Sequence, residues 1–254
     1  MSSTPRGLVF DFEWRTTLFV LVLVPVMTGL GFWQLDRADE KEALAGAFAQ
    51  RSAQPPAPLD ALWQKSADEL AYLPAKAQGQ IVPGAYFLLD NRTRAGKFGY
   101  EVLGLLRLDS GGLALVNRGW VAGDASRLSM PEVPEVEGTV ALRGHVYVAP
   151  GEPYLLAEQA LSDQWPQVLQ AVEMDKLAPH LAQLFDTRVF PYPLRLEATS
   201  PAALAVDWQI INVSPEKHLG YAVQWFTMAA VLLLFYILRS TNLWQLVARR
   251  QSED

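Results

Sequence analysis

Cysteine is missing altogether from this chain of 254 residues. Its absence excludes a disulfide framework, thiol redox chemistry and thiolate metal sites. Histidine is scarce: His145, His180 and His218 are the three present, too few for a transition-metal cluster. The common catalytic signatures are missing as well, with no His-Glu-x-x-His and no Gly-x-Ser-x-Gly. Gly96-Lys97 hints at a phosphate loop, but Asn91 stands where the first glycine belongs and Phe98 follows the lysine. Positive charge is not in excess either. Lysine and arginine total 21 against 27 acidic residues, and the net charge of −6 argues against nucleic acid as a partner.

What the chain has in abundance is apolar residues, at 50%, and they are unevenly spread. Two runs carry no charge, Thr16 to Leu35 and Leu219 to Leu238. Each is about 20 residues long, or roughly 30 Å as a helix, which matches the hydrocarbon core of a bilayer. The first run is too long for the apolar part of a signal peptide, and charged residues from Asp36 to Lys41 follow it at once. Asp11 and Glu13 break the acid-free pattern of an organelle transit peptide. The expected home is therefore a bacterial inner membrane. Arg6 and Arg15 precede the first run, and Arg239, Arg249 and Arg250 follow the second. Positive charge in short tails favours the cytoplasm. The expected layout is a cytoplasmic tail (1–15), a first span (16–35), a periplasmic domain (36–218), a second span (219–238) and a cytoplasmic tail (239–254).

Between the spans the pattern changes. Asp36 to Arg51 reads as a helical continuation, ended by Pro55, Pro56 and Pro58. Leu59 to Tyr72 reads as a short amphipathic helix. Gln80 to Leu89, Tyr100 to Leu108, Leu113 to Val121 and Thr139 to Val148 then alternate with period two and predict strands. Asp109-Ser110-Gly111-Gly112 is a hairpin turn signal. Glu173 to Phe185 predicts a helix that starts late or is interrupted at Pro179. Pro191 to Ala198 and Asp207 to Val213 predict closing strands. The fold class expected is an α+β membrane protein, with two transmembrane helices flanking one mainly antiparallel β-sheet or partly closed barrel. Leu115, Trp120, Leu142 and Val146 are expected in its core.

His145, on the polar face of a strand, and His180, off the apolar stripe of its helix, read as surface residues. His218 stands at the outer edge of the second span. On a helix His218, Tyr221, Ala222 and Trp225 follow i, i+3, i+4, i+7 and share a face. Gly29, Gly31, Trp33 and Gln34 end the first span at the same depth, and the small residues there allow close helix approach. One reading is an aromatic belt with a histidine at headgroup level. The other is an axial ligand, since a neutral imidazole binds haem iron and an aromatic wall suits a porphyrin. Arg37, Lys41 and Lys217 then lie where they could pair with propionates, or simply snorkel at the interface.

Several stretches, taken together, carry a family resemblance. Gly31-Phe32-Trp33-Gln34-Leu35-Asp36-Arg37 with Lys41, Asp90-Asn91-Arg92-Thr93, Gly99-Tyr100-Glu101-Val102, Leu115-Val116-Asn117-Arg118-Gly119-Trp120-Val121, and His218-Leu219-Gly220-Tyr221-Ala222 with Trp225-Phe226 stand in order along the chain. The whole, from about Leu18 to Leu238, resembles the surfeit locus protein 1 family of cytochrome c oxidase assembly factors. Lys217 and Gly104-Leu105 depart from the family's usual pattern. The resemblance implies a non-enzymatic role in maturing the haem-bearing subunit of the oxidase, with haem A synthase as a further partner. It also implies transient binding of haem a through His218, with Tyr221 and Trp225 beside it. For Asn117-Arg118-Gly119-Trp120 a structural role is expected, with Gly119 permitting a bulge, Trp120 plugging the core and Arg118 pairing with a carboxylate. Two alternatives stay open, a haem-independent membrane scaffold for oxidase assembly and a membrane-anchored periplasmic sensor or hydrolase domain.

The charge pattern predicts topology directly. A reporter active only in the periplasm should be active when fused after Gln80 and silent after Asp254, and the reverse result overturns the orientation.

Overall fold

A computed structural model describes residues 9–149, 151, 159–208 and 214–243. The chain divides into two compact units, Met1–Gly46 with Ile210–Asp254, and Ala47–Gln209. In chain order the elements are α1 (Trp14–Ser52), β1 (Ala57–Pro58), a 3-10 turn (Leu59–Leu62), α2 (Ala67–Leu70), β2 (Pro74–Arg94), β3 (Lys97–Leu108), β4 (Leu113–Ala122), β5 (Thr139–Val146), β6 (Gln167–Leu169), α3 (Met174–Phe185), β7 (Leu194–Leu196) and α4 (Pro215–Ser240).

The first unit is a pair of helices, α4 and the apolar part of α1, each long and apolar enough to cross a membrane. Both expected spans fall inside them. α1 runs on without a break through the charged segment to Ser52, as the sequence predicts, and passes through Pro25. Most side chains of the apolar stretches face outward, including Leu18, Phe19, Leu21, Val22, Val231, Leu234 and Phe235. A lipid-facing surface asks for this, whereas in water so much exposed apolar area would be a liability. The inward residues form a narrow seam. Val20, Gly31 and Ala38 of α1 are buried, as are Ala222, Ala229 and Ser240 of α4. Small side chains dominate, because association inside a membrane rests on close packing rather than on escape from water. Gly31 carries the closest approach. A Cβ there would stand 2.6 Å from the Phe226 ring, while one at Gly29 would meet nothing, so of the two expected glycines only Gly31 acts at the seam. At the far end the Thr17 and Tyr236 hydroxyls lie 2.8 Å apart, and the Asp11 N–H donates to the Ser240 carbonyl.

The second unit is built on a mainly antiparallel sheet. β2 pairs with β5 through Pro74–Gln80 and with β3 through Gly79–Arg94. β3 then pairs with β4, β4 with β7, and β7 with β5. The pairings make a circuit, but the β4–β7 and β5–β7 joints span two and three residue pairs. The result is a partly closed barrel, as expected. Period-two alternation sorts the strands between two cores. Leu106, Ala114, Val116, Leu142, Val146 and Phe190 fill one, while Leu103, Leu105, Leu113 and Leu115 meet Leu177 and Leu181 of α3 in the other.

Most predicted strands are present, and the differences have local causes. β2 begins six residues before the predicted Gln80, because its first half is the partner of β5. The Asp109–Gly112 turn is present, with Gly111 and Gly112 at φ +90° and +105°. Leu59 to Tyr72 is not one helix. A separate turn begins at Ser66, whose N–H donates to Glu69 Oε2, and Tyr72 turns left-handed at φ +64°, so the apolar pattern records the burial of Leu59, Leu62 and Leu70 instead. α3 is not interrupted at Pro179. The proline is exposed and removes only a bond to the Asp175 carbonyl in the exposed first turn, while buried Leu177 and Leu181 hold the helix on either side. Of the closing strands, Pro191 to Ala198 shrinks to β7. Asp207 and Trp208 are not in a strand, and 209–213 lie outside the described residues.

Leu115, Leu142 and Val146 are buried as expected, but Trp120 is only half-buried. It sits at the rim of a bulge, with its indole N–H donating to the Arg92 carbonyl at 2.9 Å. The bulge itself is as expected. Val102 pairs with Gly119 and Leu103 with Asn117, so Arg118 is the extra residue and Gly119 takes φ +114°. The Asn117 side chain closes the loop, accepting from the Gly119 N–H at 3.1 Å and donating to Glu101 at 2.6 Å. Among the described residues no carboxylate pairs with Arg118. It donates to the carbonyls of Ala202 and Pro134, each at 2.9 Å.

Gly119→Ala should therefore be costly. The new Cβ would stand 2.8 Å from the Ala205 carbonyl oxygen, at a φ that side chains avoid. Equilibrium unfolding of the purified protein in neutral detergent should show a loss of about 2 kcal/mol or more, against about 1 kcal/mol for Gly96→Ala in the β2–β3 turn, where φ is also left-handed at +74° but a new Cβ meets nothing.

Candidate ligand site on the paired helices

His218 lies in the first turn of α4, three residues after Pro215. Proline suits that position because the N–H it lacks has no helical partner there. The imidazole is half-buried, and its Nδ1 lies 2.7 Å from Gln34 Oε1 on α1. An amide oxygen accepts and does not donate, so Nδ1 carries the proton and the lone pair of neutral imidazole sits on Nε2. Among the described residues Nε2 has no hydrogen-bond partner. One nitrogen is thus anchored and the other left free to bind, the arrangement that second-shell partners impose on metal-binding histidines.

The flanking residues divide. Ala222 is buried in the seam and Trp225 is half-buried, but Tyr221 is 52% exposed. On α1, Trp33 is 49% exposed. The aromatic residues expected in the wall are thus partly or largely open rather than enclosed. Of the three expected cations, Arg37 is already engaged by Glu40 at 2.6 Å and lies 5.8 Å from the Trp33 ring centre. Lys217 is exposed and Lys41 is half-buried.

Among the described residues no three His, Asp or Glu side chains gather as a metal site. A lone imidazole with a free Nε2 does not chelate a bare ion, but it fits a metal whose other ligands arrive with it, as iron arrives in a porphyrin. The open aromatic residues fit the face of such a ring. The donor set therefore fits haem.

The other two histidines behave differently. His180 is partly exposed near Ser162 and Asp163, as its surface assignment expects. His145 is not a plain surface residue. It is half-buried, 6.1 Å from the Phe48 ring, which in turn packs edge-on against Tyr72. Phe48 comes from the tail of α1, which strand alternation around His145 could not foresee. A cluster at the β4–β7 junction also escaped the sequence reading. The Arg195 guanidinium lies 3.4 Å from the Tyr147 ring centre and 4.9 Å from that of Trp208. Scattered over 61 positions (Tyr147 to Trp208), these residues have no common spacing to betray them.

A half-buried imidazole on a pair of membrane-length apolar helices, in a chain that also carries a small partly closed β-domain, is the arrangement of a membrane-anchored protein. Comparison with known proteins narrows the class. The chain belongs to the SURF1 family, whose family model matches residues 21–230 and so takes in Gln34 and His218 alike. A SURF1-like protein of Monosiga brevicollis is 25% identical over 233 residues, covering 86% of this chain and 85% of its own. One from Rickettsia felis is 24% identical over 236 residues, covering 90% of this chain and 98% of its own. Membership of this family implies a role in cytochrome c oxidase assembly.

The setting of His145 has a measurable consequence. Burial disfavours its imidazolium and pulls its pKa below the ordinary value of 6.5, against a weaker opposing pull from Glu197. The unfolded chain therefore takes up this proton first as pH falls, so stability drops as pH passes down through about 6.5 and levels off once the native imidazole also protonates. His145→Gln should lose less stability than the wild type between pH 7.5 and 5, as read by thermal unfolding at each pH. Parallel curves would place His145 in water.

Proposed function

We propose that this chain assists assembly of cytochrome c oxidase by holding haem a at His218 and releasing it to the haem-bearing subunit of the oxidase. The observation that carries the reading is the Gln34 contact at 2.7 Å, which fixes the proton on Nδ1 and presents Nε2 as a ligand. When bound, haem supplies an iron that accepts the imidazole lone pair. The chain does the rest. Gln34 holds the imidazole tautomer and ring plane, and raises the basicity of Nε2. Trp225 and Tyr221 offer flat apolar surface beside it. Lys217 and Lys41 offer positive charge for carboxylates at the interface. A single ligand on an open flank suits a carrier, because release breaks one coordinate bond without opening an enclosed pocket.

The setting for this reading is a bacterial inner membrane, with both tails in the cytoplasm and the β-domain in the periplasm. Haem A synthase is the natural donor and the oxidase subunit the recipient. The exposed Tyr221 and Trp33 favour a second reading, in which a helix of the oxidase subunit covers this flank and the chain acts as a scaffold without haem.

His218→Ala should strip haem from protein purified from haem a-producing cells while leaving membrane insertion and fold intact. Gln34→Leu keeps the ligand but removes its anchor. It should weaken haem binding by about tenfold or more and shift the visible spectrum. Unchanged haem content in His218→Ala overturns the ligand assignment, and haem-free wild type with full assembly activity establishes the scaffold.

A further inference from the structure

Arg118 is 4% exposed, yet it brings a positive charge into the β-domain, and among the described residues no carboxylate pairs with it. Its Nε donates to the Ala202 carbonyl and its Nη2 to the Pro134 carbonyl. Among the described residues Nη1 has no hydrogen-bond partner, and the one titratable group that acts on Arg118 is the Tyr86 phenol. Two carbonyl bonds explain how the side chain is held. They do not explain why it is charged, since a neutral amide donates equally well and costs far less to bury.

The guanidinium lines a cavity of about 500 Å³, within the range of small-molecule sites. The cavity opens where β2 breaks register with β3 between Ile81 and Tyr86. Ile81, Val82, Pro134 and Trp165 supply apolar walls. Gln80, Glu135 and Glu137 on the lining are exposed, and the more enclosed polar groups that lack a partner are mainly donors. Besides Arg118 Nη1, the Tyr86 hydroxyl and the Trp165 indole N–H make no hydrogen bond among the described residues, and indole and guanidinium only donate.

We propose that this cavity binds an organic monocarboxylate with an apolar body, its carboxylate on Arg118 Nη1 and the Tyr86 hydroxyl and its body against Trp165 and Ile81. A carboxylate supplies the acceptors that these donors lack, and its single charge matches one guanidinium. A phosphate dianion would need a second cation, whereas the other charged side chains on the lining, Glu135 and Glu137, are acidic and exposed. The site is separate from His218 and does not depend on haem binding.

The test is calorimetric titration of the full chain, in a neutral detergent at fixed concentration, with octanoate, octanol and inorganic phosphate. Octanoate should bind saturably, while octanol and phosphate should not. Tyr86→Phe removes only a hydroxyl and should weaken octanoate binding several-fold. Arg118→Gln keeps a donor for the carbonyls and should weaken it by about tenfold or more. If Arg118→Gln fails to fold, Tyr86→Phe carries the test alone. Octanoate heats that match in wild type and Tyr86→Phe overturn the proposal, as they would reflect partition into micelles. Equal binding of octanol reduces the cavity to an apolar hole, and binding of phosphate instead of octanoate overturns the ligand class.

Discussion

One extra residue in β4 organises the β-domain. Because Arg118 is left out of the pairing with β3, Asn117 and Gly119 face successive partners, and the strand bends there. The bend turns the Asn117 amide toward Glu101 and the Trp120 indole toward the Arg92 carbonyl. It also frees the Arg118 carbonyl to accept from the Leu204 N–H, and the Trp120 N–H to donate to the Ala205 carbonyl. A regular strand would spend these groups on its neighbours in the ladder. Here they tie β4 to β2, to β3 and to the segment that leads toward α4.

The helix pair obeys a different constraint. Inside a bilayer there is no water to drive helices together, so contact geometry does the selecting. Gly31 lets the Phe226 ring in, and small residues at Ala38, Ala222 and Ala229 keep the seam narrow. A narrow seam is what allows a glutamine on one helix to reach a histidine on the other. The polar pair then lies where the span gives way to the interface, and one face of the imidazole remains open.

The sequence announced this architecture unevenly. Both helices were legible because length and lack of charge suffice to define a span. β5 was legible because its buried residues alternate with exposed ones, and β3 and β4 because strands covered on both faces read as short apolar runs on either side of a Gly-Gly turn. The bulge was legible in Gly119, a glycine inside a strand pattern. The N-terminal half of β2 was not, since Pro74 to Gly79 is short and bounded by no turn signal. Trp120 misled because a large aromatic in a strand suggests a core position, whereas a bulge puts it at the rim. His145 misled in the opposite sense, because its cover comes from the distant Phe48. Of the candidate site residues, His218 and Gln34 meet, as their common depth on the two helices anticipated, while the exposure of Tyr221 depends on where the seam runs, which spacing along one helix does not define.

The contacts at the other end of the helix pair bear on the same imidazole. Phe10 bridges Thr241, and Thr17 meets Tyr236. Together they act as a stop that sets how far one helix can slide along the other. A shift of one residue is about 1.5 Å along the axis and about 100° around it. Sliding by that amount would carry Gln34 away from the ring while leaving every apolar residue in lipid. Hydrophobicity holds the helices in the membrane but is nearly blind to their stagger. A few hydroxyl and backbone bonds roughly 30 Å away, a span's length, act as the vernier that aligns the two side chains.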